Sequence, residues 1–347
     1  MQLKTIPEDF IVAELADHAL DENGGYALLE LTKRNTTTEK ALSFIADSLH
    51  LQRKAIGYAG TKDSRAITRQ YVTIRTDNSL ERLPSNSNVT VRLLGRVTEP
   101  LRLGMLDGNR FEIVVRKLTS ERPTALAKLP NYFDEQRFST SNAQLGKHIL
   151  KQEFKEAINL LLTTDDEVAP RVKQYLETRM NDYIGALRLI PKNILLMYVH
   201  AYQSLLFNEV LRKYIKENDL AAVAVDGPVP LLIPTKAIPD AKIPIFGFGT
   251  EGVPVFGAWY EEVLAREGLV PRDFVVRQLP FLTVEGGERD AFFIVNDLTI
   301  GDPEPDDIFP EFRKQKLTFS LPKGCYATMV VKCLYRTGRV LSGPERS

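Results

Sequence analysis

Residues 57–75 read GYAGTKDSRAITRQYVTIR, and within this span a glycine-punctuated loop gives way to a strand. RQYVTIR alternates polar and apolar positions and carries β-branched residues at Val72, Thr73 and Ile74, the pattern of a half-buried strand. Gly57 to Lys62, with two glycines and small neighbours, reads as a loop. Asp63 follows, with Lys62, Arg65 and Arg69 around it. Any sheet that accepts this strand must therefore accept a carboxylate ringed by cations at its border. Cations beside a carboxylate favour its ionised form and aim its oxygens, which suits a nucleophile or an electrostatic stabiliser better than a general acid. An ordinary ion-paired surface turn, or cations that hold a ligand's phosphates, would have the same composition. A nucleotide-binding P-loop is excluded by spacing: the two glycines are three residues apart, Thr61 precedes Lys62, and a carboxylate occupies the place of the magnesium-binding hydroxyl.

The 347 residues suffice for two domains with cores of their own, and 44% apolar with 26% charged residues is ordinary for a soluble globular chain. No apolar run approaches the length of a membrane span, and MQLKTIPEDF lacks the apolar centre of a secretory leader, so a cytoplasmic protein is expected. Cys325 and Cys333 make no disulfide framework. The four histidines are scattered and the cysteines are not at zinc spacing, so no metal is expected. Net charge is zero, but its distribution is uneven. Residues 51–75 carry Arg53, Lys54, Lys62, Arg65, Arg69 and Arg75 against Asp63 alone. Residues 312–339 carry Arg313, Lys314, Lys316, Lys323, Lys332, Arg336 and Arg339 with no acid. Two basic segments on a neutral chain suggest a local polyanion site, with two solvated strand faces as the simpler reading.

In chain order, FIVAE (10–14) and YALLELTKR (26–34) read as strands, and Thr36 with Glu39 as a capping box for a helix with Leu42, Ile45, Ala46 and Leu49 on one face. VTVRLLG (89–95) and RFEIVVRKL (110–118) continue the strand pattern. Without a βαβ alternation, the expectation is an α+β domain with a mostly antiparallel sheet. NYFDEQRFS (131–139) mixes aromatics with Asn131, Gln136 and Arg137, a combination that base recognition uses and that plain packing also explains. AQLGKHILKQEFKEAINLLL reads as helix from about 144, and ILLMYVHAYQSLLFNEVLRKYIKEN as one long helix on which His200 and Gln203 share a face. Gly247 to Gly252 formally matches a dinucleotide fingerprint, but Pro254 follows and no helix opens there. WYEEVLAREGL reads as a helix, FVVRQL and AFFIV as strand-like, and DPEPDD (302–307) as a solvated turn. KLTFSL and ATMVVKCLYR read as two strands, or a strand and a short helix, joined at Pro322 to Gly324.

GYAGTKDSRAITRQ closely resembles the Gly-Thr-Lys-Asp-x-x-Ala-x-Thr-x-Gln signature of the TruD family of tRNA pseudouridine synthases. Four further segments resemble family motifs in the same order: KTIPEDF (4–10), NYFDEQRF (131–138), AYQSLLFN (201–208) and FSLPKGCYAT (319–328). Asp134 stands where the family has a glycine and Cys325 where it has a serine.

The resemblance implies a discontinuous pseudouridine-synthase catalytic domain, residues 1–153 and 303–347, with a mixed, mostly antiparallel sheet and flanking helices. An α/β TRUD domain, 154–302, would be inserted in it. It implies isomerisation of a uridine in tRNA, typically at position 13 of the D arm, without a cofactor. Asp63 would be the catalytic carboxylate. Lys4, Phe10, Lys62, Asn131, Phe133, Arg137 and Tyr326 would bind substrate, with Asn131 and Phe133 approaching Asp63 and the base and Tyr326 packing beside Asp63. A monomer is the default expectation, and the alternative class is an RNA-binding or RNA-folding protein without chemistry.

Overall fold

The computed structural model describes residues 1–75, 82–119, 128–139, 141–219, 221–225, 231–250 and 256–335, together with the backbone of 338–340. The chain forms two compact units, residues 1–127 with 294–335, and residues 128–293 with 336–347.

The first unit opens with β1 (Phe10–Leu15) and β2 (Tyr26–Arg34), then α1 (Thr38–Ser48), β3 (Ile56–Tyr58), β4 (Ile67–Arg75), β5 (Val89–Val97) and β6 (Gly108–Leu118). The second unit supplies β7 (Lys128–Pro130), the short α2 (Glu135–Phe138), α3 (Asn142–Leu150), α4 (Phe154–Leu161), α5 (Ala169–Thr178), α6 (Tyr183–Leu187) and α7 (Lys192–Asn218). It continues with β8 (Val223–Val225), β9 (Leu231–Ile233), β10 (Lys242–Ile245), α8 (Gly257–Glu267), β11 (Gly287–Asp290) and β12 (Phe292–Ile294). The chain then returns to the first unit with β13 (Asn296–Ile300), β14 (Glu304–Pro305), β15 (Arg313–Pro322) and α9 (Ala327–Leu334). β16 (Gly338–Val340) pairs with β8.

In the first unit the strand order is β13-β15-β6-β1-β4-β2-β5, with β14 added on β15 and β3 on β4. Among the described residues of this sheet, only β1 and β4 run parallel. This is the mixed, mostly antiparallel sheet of an α+β fold. Leu29, Leu31, Val72, Ile74, Val89 and Val91 form a core with Ala41, Leu42, Ile45 and Ala46 of α1. The N-cap of α1 is Thr37, whose hydroxyl accepts from the Lys40 backbone N–H, not the Thr36 of the expected capping box. Glu39 is turned instead to Arg53.

The unit boundaries fall at 127/128 and 293/294, not at 153 and 302. β7 pairs with β12, and α3 lies so close to α7 that a Cβ on Gly146 would sit 2.1 Å from the Tyr198 carbonyl oxygen, so residues 128–153 pack in the second unit. Asn296–Ile300 pairs with β15 and so belongs to the first. The second unit is built on α7, whose Tyr198, Val199, Tyr202, Leu206, Phe207, Val210 and Leu211 are buried. Among the described residues no helix is long and apolar enough to cross a membrane.

Other expectations need correction. The helix read from 144 is broken into α3 and α4 where Gln152 takes φ +56°, letting the Glu153 backbone N–H reach the His148 carbonyl. FVVRQL is no strand: Pro271–Phe274 is a 3₁₀ turn. At the discounted fingerprint, Gly247 to Thr250 form a turn closed by the Thr250 hydroxyl, and Glu251 and Gly252 lie outside the described residues. The acidic loop is not a solvated turn throughout. Asp306 is 2% exposed; it pairs with Arg116, itself 3% exposed, and accepts the backbone N–H groups of Lys117, Ile308 and Phe309. Arg116 also reaches Asp9 at 2.9 Å and Asp307 at 2.7 Å. A buried guanidinium thus joins the N-terminal motif to the returning segment.

Replacing Arg116 with Met strands Asp9 and Asp306 in the core, and the expected loss is about 3–5 kcal/mol in urea unfolding. Burial pushes the Asp306 carboxyl up, but its three backbone donors and Arg116 outweigh that and hold it below the usual carboxylate range. A depressed folded value contributes stability above the unfolded value, lost as pH falls through the folded one. Acid unfolding of R116M is therefore expected to begin at higher pH than in the wild type.

Candidate active site

On the face of the first sheet that carries α1, alternate residues are buried and apolar: Leu29 and Leu31 of β2, Val72 and Ile74 of β4, Phe10 and Val12 of β1, and Phe111 and Ile113 of β6. A polar band interrupts this face. Lys33 follows Leu31, Thr68 and Gln70 precede Val72, Glu14 follows Val12, and Asn109 precedes Phe111. The registers place Lys33 opposite Thr68, Thr68 opposite Val12, and Glu14 opposite Asn109. Lys33, Thr68, Gln70 and Glu14 are all buried.

The loop between β3 and β4 is fastened to this band. Gln70 Nε2 donates to the Gly60 carbonyl at 3.1 Å. The Thr38 hydroxyl donates to Gln70 Oε1 at 3.2 Å and accepts the Lys62 backbone N–H at 2.9 Å. Lys62 Nζ forms an ion pair with Glu14 at 2.7 Å and donates to Asn109 Oδ1 at 2.8 Å. Lys33 Nζ donates to the main-chain carbonyls of Asp63 at 2.6 Å and Thr36 at 2.9 Å. Lys33, Gln70, Glu14 and Asn109 thus each hold part of one loop, and that loop carries Asp63.

Lys4 Nζ donates to Asp63 Oδ1 at 2.7 Å, with 17% and 25% of the two side chains exposed. The same ammonium lies 4.2 Å from the centre of the Phe10 ring, a cation–π contact that fixes it from the other side. Phe10 is 2% exposed and meets Phe111 edge-on, and Phe111 stacks on Phe319 of β15. Lys4 has φ +54°, an uncommon conformation for a non-glycine residue, in a segment tied to the sheet by the paired backbones of Gln2 and Arg116. The C-terminal motif reaches the same sheet. Leu321 lies opposite Asn109, the Lys323 backbone N–H donates to the Asp107 carbonyl, and half-buried Tyr326 opens α9.

The second unit contains a separate cluster. Asn131 is 5% exposed; its Nδ2 donates to the Asp290 carbonyl, and its Oδ1 and backbone carbonyl accept from the Arg289 guanidinium at 2.5 and 3.0 Å. That guanidinium lies 4.1 Å over the Phe133 ring, and Arg137 lies 6.0 Å from it. Asn208 of α7 grips the Phe133 backbone through both its carbonyl and its N–H. Phe133, Arg137, His200 and Arg289 line a cleft of about 560 Å³ that also takes in Glu285. Burial, with Arg137 nearby, holds the His200 imidazole below its ordinary value and so favours the neutral ring. Gln203 is spent on the Phe246 carbonyl. Asp134, in place of a glycine, has φ −85°, open to any residue, so the backbone here does not need glycine.

The sequence model of the tRNA pseudouridine synthase D (TruD) family matches residues 1–174, 169–232 and 235–334. The chain belongs to this family. It is 30% identical to "Probable tRNA pseudouridine synthase D 2" of Methanocaldococcus jannaschii, covering 96% of this chain and 91% of that one. It is 29% identical to the tRNA pseudouridine synthase D of Aquifex aeolicus, with 96% and 98% covered. The crystal structure of a TruD protein from Methanosarcina mazei superposes with a TM-score of 0.67 at 26% identity, over 96% of this chain and 93% of that one. The fold is that of the TruD family, and the protein is a pseudouridine synthase, an isomerase.

Of the TruD-motif residues, the structure brings Lys4, Phe10 and Asp63 into contact, with Lys62 in the same loop and Tyr326 in the same unit. Asn131, Phe133 and Arg137 form their own group in the second unit. Phe10 carries Lys4 and is 2% exposed. Lys62, 6% exposed, is committed to Glu14 and Asn109. Some cations of the basic segments are also paired with acids elsewhere in the fold: Arg53 with Glu39, Lys314 with Asp307, and Lys316 with Glu112. Arg336 and the Arg339 side chain lie outside the described residues. Lys33, Glu14, Gln70 and Asn109 escape sequence reading, for their only signal is a polar residue where each strand's apolar alternation should continue.

Lys62→Met leaves the Glu14 carboxylate buried without its partner, and a loss of about 3–5 kcal/mol is expected in urea unfolding. A lysine that merely met phosphate would change stability by less than about 0.5 kcal/mol and would instead lower the salt dependence of tRNA binding.

Proposed function

We propose that the protein converts a uridine of tRNA, at position 13 of the D arm, to pseudouridine, with Asp63 as the catalytic carboxylate. The supporting observation is the clamp on that residue. Lys4, backed by the Phe10 ring, holds one carboxylate oxygen at 2.7 Å in a partly shielded position, and Lys33 holds the main-chain carbonyl of the same residue.

The reaction breaks the N1–C1′ bond, turns the uracil, and forms a C5–C1′ bond; N1 gains a proton and C5 gives one up. No oxidant, reductant or group carrier enters the balance, which makes the reaction cofactor-free. An ionised carboxylate at a fixed position serves it by attack on the sugar or the base, or by stabilising positive charge and removing the C5 proton. The uridine must first leave its stack. The second unit's cleft, with Phe133 near the Arg289 and Arg137 guanidiniums, offers a face for RNA bases and charge for its backbone. Arg137, Arg289 and Phe133 are the contacts proposed there.

Release of tritium from tRNA carrying [5-³H]uridine measures the C5 step. The wild type is expected to release label, and Asp63→Asn to release it roughly 10⁴-fold more slowly while binding tRNA as tightly. Tight binding without release by the wild type would contradict the reading and leave an RNA-binding protein that performs no chemistry.

A further inference from the structure

Lys33 holds the Asp63 main chain but not its carboxylate, and its placement is costly. It lies on β2 directly after Leu29 and Leu31 on the buried face, and like them it is 0% exposed. A leucine or methionine would continue the apolar stripe and stabilise the core. An ammonium loses its hydration there, and its hydrogen-bond acceptors are two neutral main-chain carbonyls. One of those carbonyls is Asp63's own. Thr36, the other acceptor, lies in the turn that leads into α1, so the amine ties the Asp63 loop to the helix that covers the sheet.

We infer that Lys33 is a positioning residue for the reaction, fixing the main chain of Asp63 from beneath while Lys4 fixes its carboxylate. The inference rests on the proposed role of Asp63. With the backbone carbonyl and one carboxylate oxygen both held, the Asp63 side chain has little freedom left. A shift of about 1 Å at a reacting group is worth roughly 100-fold in rate. The charged groups around Lys33 are Asp63 and Lys62 of the loop, with Lys4 beyond Asp63 and Glu14 of β1 beyond Lys62. β4 presents Thr68 and Gln70, and α1 presents Thr38, while its Glu39 is turned to Arg53. Burial lowers the Lys33 amine to about 8, with Lys62 adding to the effect and Asp63 opposing it. As pH rises through that value the amine loses its charge, the charge-assisted hydrogen bond to Asp63 becomes an ordinary one, and the loop loosens.

The test is the pH dependence of kcat and KM on unmodified tRNA between pH 6.5 and 9.5, for the wild type, Lys33→Met, Lys33→Arg and Asp63→Asn. The wild type is expected to lose kcat with a midpoint near pH 8. K33M, folded by thermal unfolding, is expected to have a kcat about 100-fold lower with no break near pH 8, and a KM within about threefold of wild type, since the buried amine does not reach RNA. K33R, charged at every pH tested, is expected to keep kcat level through pH 8 to 9. A wild-type break near pH 8 that persists in K33R overturns the inference, and this comparison decides the matter should K33M not fold. K33M with wild-type kcat and an unchanged profile also overturns it, with Asp63 retaining its role if D63N is inactive. Full activity in D63N would overturn the Asp63 reading and, with it, the role of Lys33.

Discussion

A carboxylate held against an ammonium is useful only where water cannot compete freely for both partners. The Lys4–Asp63 pair meets that condition at the edge of a core. Phe10 shields the ammonium from one side, and the loop that carries the carboxylate is pinned to the sheet beneath it. Most of the first unit can be read as support for this pair. The Phe10–Phe111–Phe319 series supplies the apolar floor, and the band from Lys33 to Asn109 supplies the attachments. Buried charge of this kind costs stability, and the surrounding apolar sheet face offsets it.

The chain leaves the first unit after β6 and returns at β13, so the N-terminal and C-terminal motifs must be joined by contacts distant in sequence. Arg116 does this by gathering Asp9, Asp306 and Asp307. The β6–β15 pairing does it again along the backbone, bringing Pro322 opposite Gly108, where a Cβ would meet the Leu321 carbonyl oxygen at 2.2 Å. These two devices let the first unit tolerate an insertion of its own size. In the second unit α7 has a comparable function: one helix fixes Phe133 through Asn208 and lines the cleft through His200 and Ser204.

Elements with strong local patterns are legible in the sequence. The alternation of YALLELTKR gives β2 at its true limits, and α7 follows from its long helical spacing. The Asp63 loop is legible as well, through glycine and charge. The partners of its charges are not. Lys62 looks like a surface cation beside Asp63, but its amine pairs with Glu14 on a strand formed nearly fifty residues earlier, which only the β1–β6 register reveals. Lys33 and Arg34 together look like a polar strand end, yet one is fully buried and the other exposed. The break at Gln152 has neither glycine nor proline to announce it. The acidic loop reads as solvated in the sequence because the guanidinium that buries Asp306 lies 190 residues away.

The role proposed for this clamped carboxylate is the isomerisation of one uridine of tRNA. The most direct measurement is a positional map: an unmodified tRNA pool incubated with wild type or Asp63→Asn, with each uridine then read by chemical derivatisation and reverse-transcription stops. New stops are expected at uridine 13 of the D arm with the wild type and none with the variant. Stops that persist undiminished in Asp63→Asn, or an absence of stops from a wild type that binds the same tRNAs, would contradict it.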